Sequence, residues 1–161
     1  MYQPYPSGSQ MPEPQRPPTP ASVLNAVKSM YAGAALSVAG LIVSLATAGN
    51  LKSQIRKARP TLTVTQVDNA AKALVVLSIF FGLVAVGLWL WMAWANKAGK
   101  NWARITGTVF FGLDTLGLLS VAQPVSVVSK LVTVLVWLAG LGAIVLLWRG
   151  ESSRYFSGTG G

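Results

Sequence analysis

The stretch "ALVVLSIFFGLVAVGLWLWMAWA", residues 73–95, decides the fold: 23 residues pass without a single charge. At about 1.5 Å per residue, a helix of that length outreaches the roughly 30 Å hydrocarbon core of a bilayer. Lys72 and Lys97 bracket it, where the chain would leave the lipid. Working outward, three further apolar runs appear at 30–48, 105–122 and 127–148, each rich in Gly, Ser or Ala. Lipid-embedded helices tolerate such residues better than soluble ones do. The expectation is an all-α membrane protein, a four-helix transmembrane bundle over residues 21–149, with an extramembrane loop at 49–72.

Composition agrees. Of 161 residues, 52% are hydrophobic and 11% charged, and the mean hydropathy is +0.52. Soluble domains carry about 25% charged residues, so this chain has too few to cover a surface in water. The net charge of +9 does not point to nucleic acid, because most Lys and Arg sit beside apolar runs, where membrane proteins place them. Cys and His are absent, and the acids are only Glu13, Asp68, Asp114 and Glu151. No thiolate or imidazole chemistry is available, no paired carboxylates stand out, and neither an enzyme, a cofactor nor a bound metal is expected.

The ends differ from the middle. Residues 1–20 hold seven of the nine prolines and are expected to form a disordered tail, and residues 150–161 a flexible one. Thr19-Pro20 reads as an N-cap followed by a helix-starting proline. Ala46-Thr47-Ala48 fits the A-x-A pattern of a signal peptidase site, but the long proline-rich segment before it argues against cleavage. In the 49–72 loop, "LKSQIRKAR" extends the first helix until Pro60 ends it, and Thr65 to Asp68 resembles a capping box for the second.

Helix alternation gathers Trp89, Trp91, Trp94, Trp102 and Trp148 at one end of the bundle, with Tyr31 near it. Indoles anchor at the headgroup level. The short 96–104 loop at that end carries Lys97, Lys100 and Arg104, which favours cytoplasmic termini and a multi-pass cell-membrane address. Gly99 permits a tight turn there, Trp94 and Trp102 seat on either side of it, and the three cations face lipid phosphates or a partner.

The same stretch, "WMAWANKAGKNWARITG" at 91–107, resembles a signature of small actinobacterial integral membrane proteins with a proline-rich tail and four helices. Their loop between helices two and three is of the type W-A-x-x-x-x-G-x-x-W-A-R, matched here by Trp94, Ala95, Gly99, Trp102, Ala103 and Arg104. "PTLTVTQVD" ahead of the second helix is also similar. The resemblance covers the chain from about residue 25 onward and implies a fold and an envelope address. It transfers no activity and no functional residue.

Two further features carry expectations. Gly33, Ser37, Gly40 and Ser44 form a stripe of small residues along the first span, suited to close packing within the bundle or, alternatively, to a homo-oligomer contact. Asp114 is a carboxylate inside an apolar run, which costs about 2.5–3.5 kcal/mol on insertion scales and should therefore face protein or water. Gly107, Phe110, Phe111, Gly117 and Leu118 share its side of the helix. Thr108, Thr115, Ser120, Ser129 and Thr133 are candidate hydrogen-bond partners, and Lys130 is the nearby cation, which can reach Asp114 or extend out to the headgroups.

The expected role is a structural or interaction component of the cell envelope, with Asp114 fixing helix register. The alternative is a small transporter or proton-coupled subunit that uses Asp114. The expected partners are membrane lipids, another membrane protein or a second copy, and no nucleic acid.

Overall fold

The computed structural model describes residues 18–120 and 127–159. The expected tail over 1–17, the end of the third apolar run and the link at 121–126 lie outside the described residues. The described chain is helical, with no strand among its residues: α1 (Ala21–Ala46), α2 (Leu51–Ala58), α3 (Val64–Lys97), α4 (Asn101–Ser120), α5 (Val127–Leu147) and α6 (Gly150–Thr159). Of these, α1, α3 and α5 are long and apolar enough to cross a membrane. Arg104 and Asp114 dilute the apolarity of α4, which has only 20 residues.

The central helix is α1, packed along both α3 and α5, while α4 lies more loosely against α3 and α5. Sequence order would pair α4 with its chain neighbour α5, yet the closest packing in the bundle belongs to α1. Glycines explain why. A Cβ on Gly33 would stand 2.9 Å from the ring of Trp89 on α3, and one on Gly40 would stand 3.2 Å from Val132 on α5. The missing side chains let α1 approach both neighbours.

The helix boundaries differ from the sequence reading in three places. Pro20, in extended backbone, occupies the position just before α1, and the Thr19 hydroxyl lies 3.4 Å from the Tyr155 hydroxyl instead of capping the helix. The first helix does not run on into "LKSQIRKAR". The Thr47 hydroxyl donates back to the Val43 carbonyl (2.9 Å), a 3₁₀ turn follows at Ala48–Asn50, and α2 is a separate basic helix. The capping box of α3 is Thr63 with Gln66: Gln66 N donates to Thr63 Oγ1 (3.3 Å) and Thr63 N to Gln66 Oε1 (2.9 Å). Thr65 and Asp68 share that spacing, but Asp68 is engaged by Lys52 across the turn, 2.8 Å away.

The turn after α3 follows its glycine. Gly99 has φ 73°, Lys100 N donates to Ala95 O (3.2 Å) and Gly99 N to Asn96 O (3.0 Å). This left-handed closure satisfies the last carbonyls of α3 and starts α4 within a few residues.

The C-terminal segment, expected as a flexible tail over 150–161, is helical at Gly150–Thr159 and docks on the tryptophan-bearing end. Phe156 and Ser152 are buried, and both face the main packed cluster of Val23, Ala26, Met30, Met92, Ala103 and Leu147 or its borders. Well-packed burial is thus concentrated at one end of the bundle. None of the most apolar stretch of α3 is buried within the protein, and Val76, Phe81 and Leu83 stand more than half exposed. Apolar exposure on that scale is the surface of a protein whose solvent is lipid.

Candidate functional site

Asp114 borders two cavities. The first, about 360 Å³, is walled by Trp89, Phe110, Phe111 and Trp137 with Met30 and Ile144. The second, about 390 Å³, is lined by Ser37, Gly40, Ser44, Ser129 and Thr133 among aliphatic residues. Asp114, Ser37 and Val136 belong to both. The chain directions of α1 and α5 stack the cavities along the bundle: the aromatic one toward the tryptophan end, the hydroxyl-bearing one toward the opposite end. The carboxylate stands where they meet.

Its position on α4 follows from the helix's packing face. Arg104, Thr108, Phe111 and Thr115 recur at intervals of four and three and turn toward α3 and α5, and Asp114 falls on the flank of that stripe. Gly107, Phe110 and Phe111, which share its side of the helix, share its cavity.

Among the described residues, none of the expected partners engages it. Among the described residues the one ion pair is Lys52 with Asp68, so Lys130, exposed in the first turn of α5, does not pair with Asp114. Thr115 Oγ1 donates to the Phe111 carbonyl (2.8 Å) and accepts from the Trp137 indole (2.9 Å). Thr108 repeats the pattern, donating to Arg104 O (2.9 Å) and accepting from Trp148 (3.0 Å). Thr133 donates to the Ser129 carbonyl (2.9 Å). The Ser120 side chain lies outside the described residues. Among the described residues, the polar ties from α4 therefore run through two threonines to Trp137 on α5 and to Trp148 just past its end, not through Asp114. Sequence reasoning named the threonines but not these donors. The available signal was that an indole N–H held in an apolar segment, away from water, needs an acceptor.

The small-residue stripe is turned inward. Gly33 receives Trp89, while Ser37, Gly40 and Ser44 line the second cavity, and Ser37 Oγ donates to the Gly33 carbonyl (2.9 Å). Its two glycines receive Trp89 and Val132 from within the chain.

At the tryptophan end, Trp94 is exposed with the Lys100 ammonium 4.7 Å from its ring centre, and Trp102 packs on Trp91 with ring centres 5.3 Å apart. The Lys97 side chain is exposed, and its carbonyl accepts from the Tyr155 hydroxyl (3.2 Å). Arg104 departs from the expected lipid-facing position. Its guanidinium lies over Trp148 (4.4 Å) and Phe156 (5.2 Å) and donates to Ser153 Oγ (3.1 Å). A planar, weakly hydrated guanidinium stacks on aromatic faces where an ammonium would stay in water. Asn96, not singled out in the sequence, is fully buried; its amide donates to Met92 O (2.9 Å), and its Oδ1 and Arg104 Nε have no hydrogen-bond partner among the described residues.

At the opposite end, the hydrogen bond and then the charge of Lys52 hold the Asp68 carboxyl below its ordinary value of 3.8, with Lys72 and Arg56 adding to the effect. A depressed folded value contributes stability above the unfolded one and loses it as pH falls through the folded one. The α2–α3 tie should thus persist through mild acid and open only below the usual carboxylate range. Amide protection over Leu51–Ala58, corrected for the intrinsic exchange rate at each pH, is expected to fall there, and in Asp68→Ala at neutral pH. Equal exchange in the variant and the parent would refute the tie.

The chain matches no protein-family model, no curated protein and no solved structure.

Proposed function

We propose that the chain is a four-span, multi-pass protein of the cell membrane with both termini cytoplasmic. In this reading α4 is the remaining span, and the protein works as a small transporter or proton-coupled subunit with Asp114 as its ionisable group. The observation that carries this is the position of Asp114 at the junction of two stacked cavities, with no hydrogen bond or ion pair from another helix among the described residues. A carboxylate kept for helix register would be held by a neighbouring helix, whereas a carboxylate that exchanges a proton or ligand must be left accessible. The resemblance of the 91–107 loop to small actinobacterial membrane proteins is in keeping with the membrane address and is silent on activity.

The competing role, a structural or interaction component, draws support from the closely packed tryptophan end. Purified protein in liposomes separates the two. Under an imposed pH gradient, proton flux is expected from the parent and at least a tenfold lower flux from Asp114→Asn. Asparagine keeps polarity and volume but cannot ionise. Absent flux in the parent, or undiminished flux in the variant, would overturn the transporter reading.

A further inference from the structure

We infer that the aromatic cavity beside Asp114 binds a lipophilic organic monocation, of the quaternary-ammonium class. The inference deepens the transporter reading and rests on it for physiological meaning, but binding itself is measurable apart from transport.

The walls select the chemistry. Trp89, Phe110, Phe111 and Trp137 present aromatic surface, and the indole N–H of Trp137 is already engaged by Thr115. Phe111 and Trp137, both lining the cavity, lie with ring centres 5.5 Å apart and planes tilted by 32°. Aromatic faces attract cations, most strongly where water is excluded. Among the described residues Asp114 supplies the one formal charge on the wall, and no Lys or Arg lines either cavity. An anion would meet an unopposed carboxylate, and a neutral apolar molecule would leave that carboxylate uncompensated. A cation answers both.

The kind of cation follows from what is missing. Hard inorganic ions need several oxygen ligands to replace their water. Besides the carboxylate, the side-chain oxygen on this wall is Ser37 Oγ, whose proton goes to the Gly33 carbonyl. A cation with a diffuse charge and an apolar shell needs no such ligand set. The volume of about 360 Å³ falls in the usual range for small-ligand sites, roughly 300–1,000 Å³. The second cavity, with its hydroxyls, continues from the carboxylate toward the far end of the bundle.

The test uses the purified full chain in mild detergent, titrated calorimetrically with benzyltrimethylammonium chloride, with sodium chloride as the matched salt. Saturable binding at one site per chain is expected, with no comparable heat from sodium chloride and no competition by it. Asp114→Asn should weaken binding at least tenfold and Asp114→Glu should retain it. Gly107→Leu gives a second, independent variant. Gly107 lines the cavity and a Cβ there meets nothing within 4 Å, so a side chain can start from this position and extend into the space. It should abolish binding while the carboxylate remains. No binding by the parent, equal displacement by sodium, or unchanged affinity in either Asp114→Asn or Gly107→Leu would overturn the inference. Proton flux without benzyltrimethylammonium binding would sink this inference and leave the transporter reading standing. Binding without flux would do the reverse.

Discussion

Phe156→Ala is expected to destabilise the protein by about 3–5 kcal/mol, the usual cost of emptying a buried phenylalanine site. Phe156 is 1% exposed, in a segment that looks like a polar tail. Its ring meets Tyr155 edge-on (5.6 Å) and lies 5.2 Å from the Arg104 guanidinium. Around it, Ser152 Oγ donates to the Leu146 carbonyl (2.8 Å) and sits 2.9 Å from Ser22 Oγ, while Tyr155 reaches the Lys97 carbonyl. These contacts tie α6 to the starts of α1 and α4 and to the ends of α3 and α5. With the ring removed, Arg104 keeps only Trp148 as a stacking surface while its Nε is already unpaired. The loss therefore spreads beyond one side chain. Thermal unfolding in detergent measures the destabilisation, and limited trypsin digestion reads its structural form: sites at Arg149 and Arg154 should become rapidly cleaved as α6 leaves the bundle. A variant with the parent's melting temperature and protease resistance would refute the docked helix.

How far such features were legible in the sequence depends on whether the deciding contact is local. The run at 73–95 announces α3 by length and lack of charge, and Gly99 announces the turn after it because only the backbone is involved. The capping box was half-legible. Thr63 with Gln66 and Thr65 with Asp68 fit one spacing, and a tertiary contact, Lys52 on Asp68, separates them. The docked α6 was not legible. "GESSRYFSGT" has no long apolar face, and its partners Ser22, Lys97 and Arg104 are distant along the chain. Arg104 misled for the same reason: beside an apolar run a cation usually seeks headgroups, unless two aromatic rings from elsewhere receive it. At the candidate site, the identity of Asp114 as an unusual residue was plain, and Gly107, Phe110 and Phe111 follow from helical spacing alone. The α1, α3 and α5 walls, the two cavities and the lack of a partner for Asp114 among the described residues depend on α1 being central, which no neighbouring pair of segments encodes.

The glycines that make α1 central carry the second large effect. Gly33→Ala is expected to cost about 1–3 kcal/mol, the range for overpacking a filled interior, with a comparable loss for Gly140→Ala. A Cβ at Gly33 would lie 2.9 Å from the indole of Trp89, and one at Gly140 would lie 2.9 Å from Phe111 and 3.5 Å from that same indole. Trp89 on α3 is thus seated against glycines of both α1 and α5, and Phe111 on α4 uses the second glycine too. The contacting atoms belong to ring systems, not to the ends of flexible chains, so each ring must shift as a whole to make room. The two substitutions press on one side chain, so their effects should not add. Once Trp89 has been displaced by the first methyl, the second meets only Phe111. Truncating the ring supplies the decisive control: in a Trp89→Leu background Gly33→Ala should lose most of its cost, whereas Gly140→Ala should keep the part due to Phe111. Melting temperatures of the two single variants, their double and the same set in the Trp89→Leu background measure this directly. Full additivity, or an undiminished cost of Gly33→Ala without the indole, would mean that close approach at these glycines does not set the spacing of the helices.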